Sequence, residues 1–170
     1  RDKIKNFNQQ EFDELLKKIR NQEYKFGEIL KYKNVRKIIK QKIFSLLAGC
    51  DILIIEIGGT IGDEEATQLY KSLNEINKEE VNLKVLMVSP YLIDKEKCQE
   101  EIDFSYRTKI TRKAFIDASN LGLKPDMIFM RGDCGILMND LEYISDDCNT
   151  KKESIFLDPQ ISNIYQLPEI

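Results

Sequence analysis

Asp51-Ile-Leu-Ile-Ile-Glu56-Ile-Gly-Gly-Thr-Ile-Gly-Asp63-Glu64-Glu65 is the stretch on which the fold turns. A short, unbroken aliphatic run bounded by polar residues predicts a strand buried on both faces, as in a parallel sheet. The run ends on Glu56. A carboxylate at the tip of a buried strand is costly unless a cation or a hydrogen-bond donor satisfies it. Gly58, Gly59 and Gly62 follow, and three glycines in five positions let the backbone turn sharply and approach a ligand. Asp63, Glu64 and Glu65 then open the next helix. The same segment also reads as an ordinary strand-to-helix turn whose acids complement the helix dipole. Asp63 and Glu65 fit that second reading; Glu56, which precedes the loop, does not.

Working outward, Phe12, Leu15, Leu16 and Ile19 carry the i, i+3, i+4, i+7 spacing of one helical face. Residues 34–48 repeat it with Val35, Ile38, Ile39, Ile43, Leu46 and Leu47, with Asn34 as an N-cap and Gly49 as a stop. Residues 65–76 read as a helix, 83–88 as a second buried strand, and 110–121 as a helix ended by Gly122. Residues 126–130 and 154–157 complete the set as strands, with 133–153 irregular and 146–153 a loop. Alternating helices and strands predict an α/β fold, a parallel sheet with helical crossovers.

The 170 residues suffice for one compact domain or a substantial piece of one, and 42% apolar content allows a buried core. The net charge of −3 offers no global basic field for nucleic acid. There are no histidines, which excludes within this chain Ser-His-Asp triads, Cys-His pairs and His-bearing zinc sites. The chemistry must come from carboxylates, lysine, arginine, hydroxyls, backbone amides or a hard metal. Cys50, Cys98, Cys134 and Cys148 include no C-x-x-C pair and are read as free thiols of a reducing cytosol. No apolar run approaches the roughly 20 residues that span a bilayer. A soluble, cytoplasmic protein without membrane or nucleic-acid partners is expected.

A second segment carries chemistry. Tyr106-Arg107-Thr108-Lys109-Ile110-Thr111-Arg112-Lys113 places four cations and two threonine hydroxyls at a helix start, which suits a polyphosphate. A solvated basic first turn is the alternative, although cations at a helix N-terminus oppose its dipole. Arg131-Gly132-Asp133 reads as a turn with a local ion pair, and Tyr91 and Tyr106 as packing or surface aromatics.

With these residues in view the chain resembles the synthetase (amidoligase) domain of CTP synthase. Glu56-Ile-Gly-Gly-Thr-Ile-Gly-Asp63-Glu64-Glu65-Ala66 resembles that family's E-V/I-G-G-T-V/I-G-D-I-E-S loop nearly throughout. Val88-Ser89-Pro90-Tyr91-Leu92 is similar to its V-P-Y-L strand end, and Arg107-Thr108-Lys109-Ile110-Thr111 to its K-T-K-P-T nucleotide loop. Leu121-Gly122-Leu123-Lys124-Pro125-Asp126 and Ser162-Asn163-Ile164-Tyr165-Gln166-Leu167-Pro168 are similar to two further motifs. Upstream, Lys18-Ile19-Arg20 and Tyr24 resemble the family's K-E-R-x-G-D-Y stretch, so the ordered likeness spans about residues 18–168.

The resemblance implies a P-loop NTPase-like, dethiobiotin synthetase-like layered architecture, present in part. It implies a ligase of pyrimidine biosynthesis that makes CTP from UTP: ATP, as co-substrate, phosphorylates the uracil O4 and glutamine-derived ammonia displaces the phosphate. Glu56 is then the catalytic residue and the ligand of Mg²⁺. Asp63, Glu64, Glu65, Arg107, Thr108, Lys109, Thr111, Arg112 and Tyr143 are implied at the UTP/CTP site, and Gln160 and Ile161 at the ATP site. A homotetramer and a glutaminase (glutamine amidotransferase) domain on the same parent chain are implied as partners. Ile110, Arg112 and Lys113 depart from the nucleotide loop, Tyr143 stands where a lysine is expected, and Pro159-Gln160-Ile161 replaces K-D-V. The family's N-terminal ATP loop and C-terminal glutaminase have no match in residues 1–170, so these residues are expected to be a partial domain, inactive alone. The alternative is a degenerate paralogue that binds nucleotide or subunits without catalysis.

Overall fold

A computed structural model of the chain describes residues 3–23, 32–58, 61, 64–79, 81–91, 104–132 and 136–159. The chain divides into two compact units, residues 1–82 and 83–170. In the first unit, β1 (Ile4–Phe7), α1 (Gln9–Glu23), α2 (Tyr32–Leu47), β2 (Ile52–Ile55) and α3 (Glu64–Asn77) follow in order. β1 and β2 pair in parallel, Ile4 opposite Ile52 and Phe7 opposite Ile55. The turn from β1 into α1 is fixed locally. Asn8 and Glu11 form a reciprocal capping box, with Asn8 N–H donating to Glu11 Oε2 at 3.1 Å and Glu11 N–H to Asn8 Oδ1 at 3.0 Å. Phe7 and Phe12 meet edge-on across that cap as its hydrophobic staple.

The second unit contains β3 (Leu86–Pro90), α4 (Phe104–Asn120), β4 (Met127–Gly132), α5 (Met138–Asp147), a 3₁₀ turn at Lys152–Ser154 and β5 (Ile155–Pro159). Its three strands lie in the order β3-β4-β5, all parallel, so α4 and α5 are the crossovers that parallel pairing requires. Both pack over the side that presents Met87, Ile128, Met130 and Ile155, where Phe115 and Ile144 close the core. Gly122 adopts φ 88° and Leu123 N–H donates to Ala118 O, the backward bond that ends α4 at the glycine, as expected.

The α/β class, the parallel pairing and the helical crossovers agree with the sequence. Several expectations are corrected. β2 is not buried on both faces: Ile52 and Ile54 are about half exposed, and only Leu53 and Ile55, on the side of Phe7, are partly covered. β3 likewise exposes Leu86 and Val88, because α4 and α5 lie on one side of their sheet. α2 begins at Tyr32, ahead of Asn34. α4 begins at Phe104 and not at Ile110, because the polar residues of its first turns find buried partners within the unit. Residues 138–147, expected to be irregular, form α5. Residues 4–7 carry no strand signal of their own, since Ile4 and Phe7 alone do not alternate; pairing with β2 creates β1.

Close packing at the β3–β4 edge supplies a stability test. Tyr91 N–H donates to Arg131 O at 2.7 Å, and a Cβ added to Gly132 would lie 2.5 Å from Tyr91 O. Gly132→Ala is expected to destabilise the protein by about 1–3 kcal/mol, the usual cost of overpacking. A shift of the chemical-denaturation midpoint measures it, and an unshifted midpoint would show that the two strand ends yield freely.

Candidate functional site

In open α/β sheets ligands gather beyond the carboxyl ends of the strands, and each unit places chemistry there. In the first, Glu56 N–H continues the ladder by donating to Phe7 O at 2.9 Å, leaving the Glu56 side chain exposed just past β2. Gly58 N–H donates to Gln9 Oε1 at 3.0 Å, which ties the start of the glycine loop to the first turn of α1. Glu64 and Glu65 open α3, as expected of the acidic cluster. Asp63, Gln160 and Ile161 lie outside the described residues, as do the side chains of Glu64 and Glu65.

In the second unit α4 sorts its polar residues by face. Arg107, Thr108 and Thr111 are buried, Lys109 is exposed and Arg112 is half-buried. Thr111 Oγ1 and Ser89 Oγ share a buried hydrogen bond at 2.9 Å, joining the helix to the end of β3. Arg112 Nε donates to Thr108 Oγ1 at 3.1 Å, and Arg112 Nη1 pairs with Asp147 at 2.9 Å. The Arg112 guanidinium also lies 4.6 Å from the centroid of the Tyr143 ring, a cation–π contact between α4 and α5. The structure therefore brings together Thr108, Arg112 and Tyr143, all three of which the resemblance places at a nucleotide site.

Arg107 is engaged differently. Its Nε donates to Asp140 Oδ2 at 2.7 Å and its Nη2 to Asp140 Oδ1 at 2.9 Å, a bidentate pair with both side chains removed from water. The Tyr91 hydroxyl donates to the same Oδ2 at 2.5 Å and accepts from Leu137 N–H at 3.3 Å. The Asp140 bond holds the Arg107 guanidinium above its ordinary range. Burial, reinforced by the Asp140 bond, pushes the Tyr91 phenol up to about 12. Burial also raises the Cys148 thiol to about 11, so it packs as an inert free thiol.

Asp140 was missed in the sequence, although a signal was there. Leu137, Leu141, Ile144 and Cys148 have helical spacing, and an acid at position 140 falls on that same apolar stripe. An acid on an apolar stripe requires a buried cation to pair with it. Among the described residues no cluster of three metal-ligating side chains forms, and no helix is long and apolar enough to cross a membrane.

Compared with known families, the chain matches the family model described as CTP synthase N-terminus over residues 4–170.

The raised phenol has a measurable consequence. Its folded-state value lies above the ordinary 10, so the bound proton contributes stability below about pH 10 that is lost as pH rises toward 12. In an ultraviolet tyrosinate titration one component is expected near pH 12, and Tyr91→Phe is expected to remove it. A titration in which every tyrosine ionises near pH 10 without unfolding would contradict the buried hydrogen bond.

Proposed function

The chain belongs to the CTP synthase N-terminal family, and from that premise we propose that it is the synthetase segment of an enzyme that converts UTP to CTP. ATP is the phosphoryl donor to the uracil O4 and ammonia the nucleophile that displaces the phosphate; a glutaminase domain of the same parent protein is the ammonia source. The observation that carries this reading is the exposed Glu56 carboxylate at the carboxyl end of a parallel strand, opening Glu56-Ile-Gly-Gly-Thr-Ile-Gly-Asp63.

Glu56 fits Mg²⁺, which takes one or two protein carboxylates and fills its octahedron with phosphate and water oxygens. When bound, the ion offsets charge on the transferring phosphoryl group. Asp63, Glu64 and Glu65, which follow in the sequence, are assigned to the pyrimidine nucleotide, and Gln160 and Ile161 to ATP. In the second unit Lys109 is exposed and takes part in no ion pair among the described residues, which suits a triphosphate oxygen. Arg112, fixed by Tyr143, Thr108 and Asp147, presents a second cation from the same helix. Thr108 and Thr111 support that surface from beneath, since both are buried and hydrogen-bonded within the unit.

The full natural protein tests both assignments. Glu56→Ala is expected to lower Mg²⁺-dependent CTP formation at least about 100-fold, a loss of several kcal/mol, with glutamine hydrolysis retained. Lys109→Ala is expected to raise the KM for UTP and weaken inhibition by CTP together, each by about tenfold, the worth of one charge-assisted bond. Unchanged CTP formation in the Glu56 variant would remove that residue from the reaction. Nucleotide binding without turnover in the unsubstituted protein would favour the non-catalytic module instead.

A further inference from the structure

Arg107, Asp140 and Tyr91 form a buried polar cluster beneath the first turns of α4. Asp140 is completely buried, Tyr91 nearly so, and the Arg107 side chain is 7% exposed. The carboxylate accepts three bonds, two from the Arg107 fork and one from the Tyr91 hydroxyl. Three elements converge on it: the end of β3 through Tyr91, α4 through Arg107, and α5 through Asp140 itself.

Helical geometry gives this cluster a second consequence. Successive residues turn by about 100°, so a side chain two positions along points to nearly the opposite side of the helix. With Arg107 held inward by Asp140, Lys109 must face solvent, as it does. Presenting the Arg107 fork to a phosphate would leave the Asp140 charge buried without its bidentate partner, an arrangement protein interiors do not tolerate.

We propose that Asp140 is a positioning residue for triphosphate binding: it holds Arg107 inward, and so sets the rotation of α4 that turns Lys109 and Arg112 toward the nucleotide. Arg107 is thereby the pin of the basic segment and not one of its phosphate ligands. This rests on the reading of α4 as part of a pyrimidine triphosphate site.

The experiment is steady-state kinetics on the full natural protein, with melting temperatures recorded in parallel. Asp140→Ala strands the guanidinium and is expected to raise the KM for UTP by about tenfold or more while kcat stays within about twofold. Asp140→Glu is expected to recover part of that loss. The paired variant Arg107→Met/Asp140→Leu, which replaces the ion pair by apolar residues of similar volume, is expected to bring the KM back to within about threefold. Should Asp140→Ala fail to fold, the paired variant decides alone by the same threefold criterion. A lowered melting temperature with an unmoved KM in Asp140→Ala would overturn the proposal, reducing the cluster to packing. A paired variant that folds but binds UTP about tenfold more weakly would also overturn it, because Arg107 itself would then be a phosphate ligand. An unsubstituted protein that shows no saturable use of UTP would instead overturn the functional reading on which the proposal rests.

Discussion

The carboxylate of Asp140 sits in the second unit without access to water, and the arrangement around it follows from satisfying that charge. A buried ion gains nothing from solvent, and only a partner of opposite sign with further hydrogen bonds offsets the loss. Arg107 supplies the charge in bidentate form and Tyr91 supplies one more donor. Such a pair is weak evidence for stability, since apolar side chains of similar volume often do as well. Its effect is geometric: it ties α4 to α5 and to the end of β3. Together with the buried Thr111–Ser89 bond and the packing of Phe115, it sets which side of the helix faces solvent.

That fixed rotation divides the basic segment. Arg107, Thr108 and Thr111 face inward and are consumed by Asp140, Arg112 and Ser89, while Lys109 faces out. Arg112 lies between the two sides, stacked on Tyr143 and paired with Asp147. A run of cations that looks uniform in the sequence is therefore two sets with different work. One set builds the surface and the other charges it. In the first unit the division is simpler, because Glu56 ends its strand, keeps its backbone in the ladder and leaves its carboxylate exposed.

The exposed faces of β2 and β3 show the limit of patterning within each unit. Aliphatic runs predicted strands covered on both sides, and the residues did form parallel strands. Yet α4 and α5 both pack on one side of their sheet, leaving Leu86 and Val88 half exposed on the other. An aliphatic side chain reports what a position can bury; which helix covers it is decided by the handedness and length of the crossovers.

The sequence by itself determined the α/β class, the parallel strands, the helix that opens at the acidic pair Glu64-Glu65, the end of α4 at Gly122 and membership of a family through motifs in order. These are local properties: periodicity, glycine placement and the identity of a few adjacent residues carry them. The tertiary structure alone decided that α4 begins six residues earlier than its apolar periodicity implied, that Ile4–Phe7 is a strand, and that Arg107 turns inward. Each depends on a partner far along the chain: β1 on β2, Arg107 on Asp140, Thr111 on Ser89. A polar residue's propensity records its average over exposed and buried settings, and only the folded chain selects which setting it occupies.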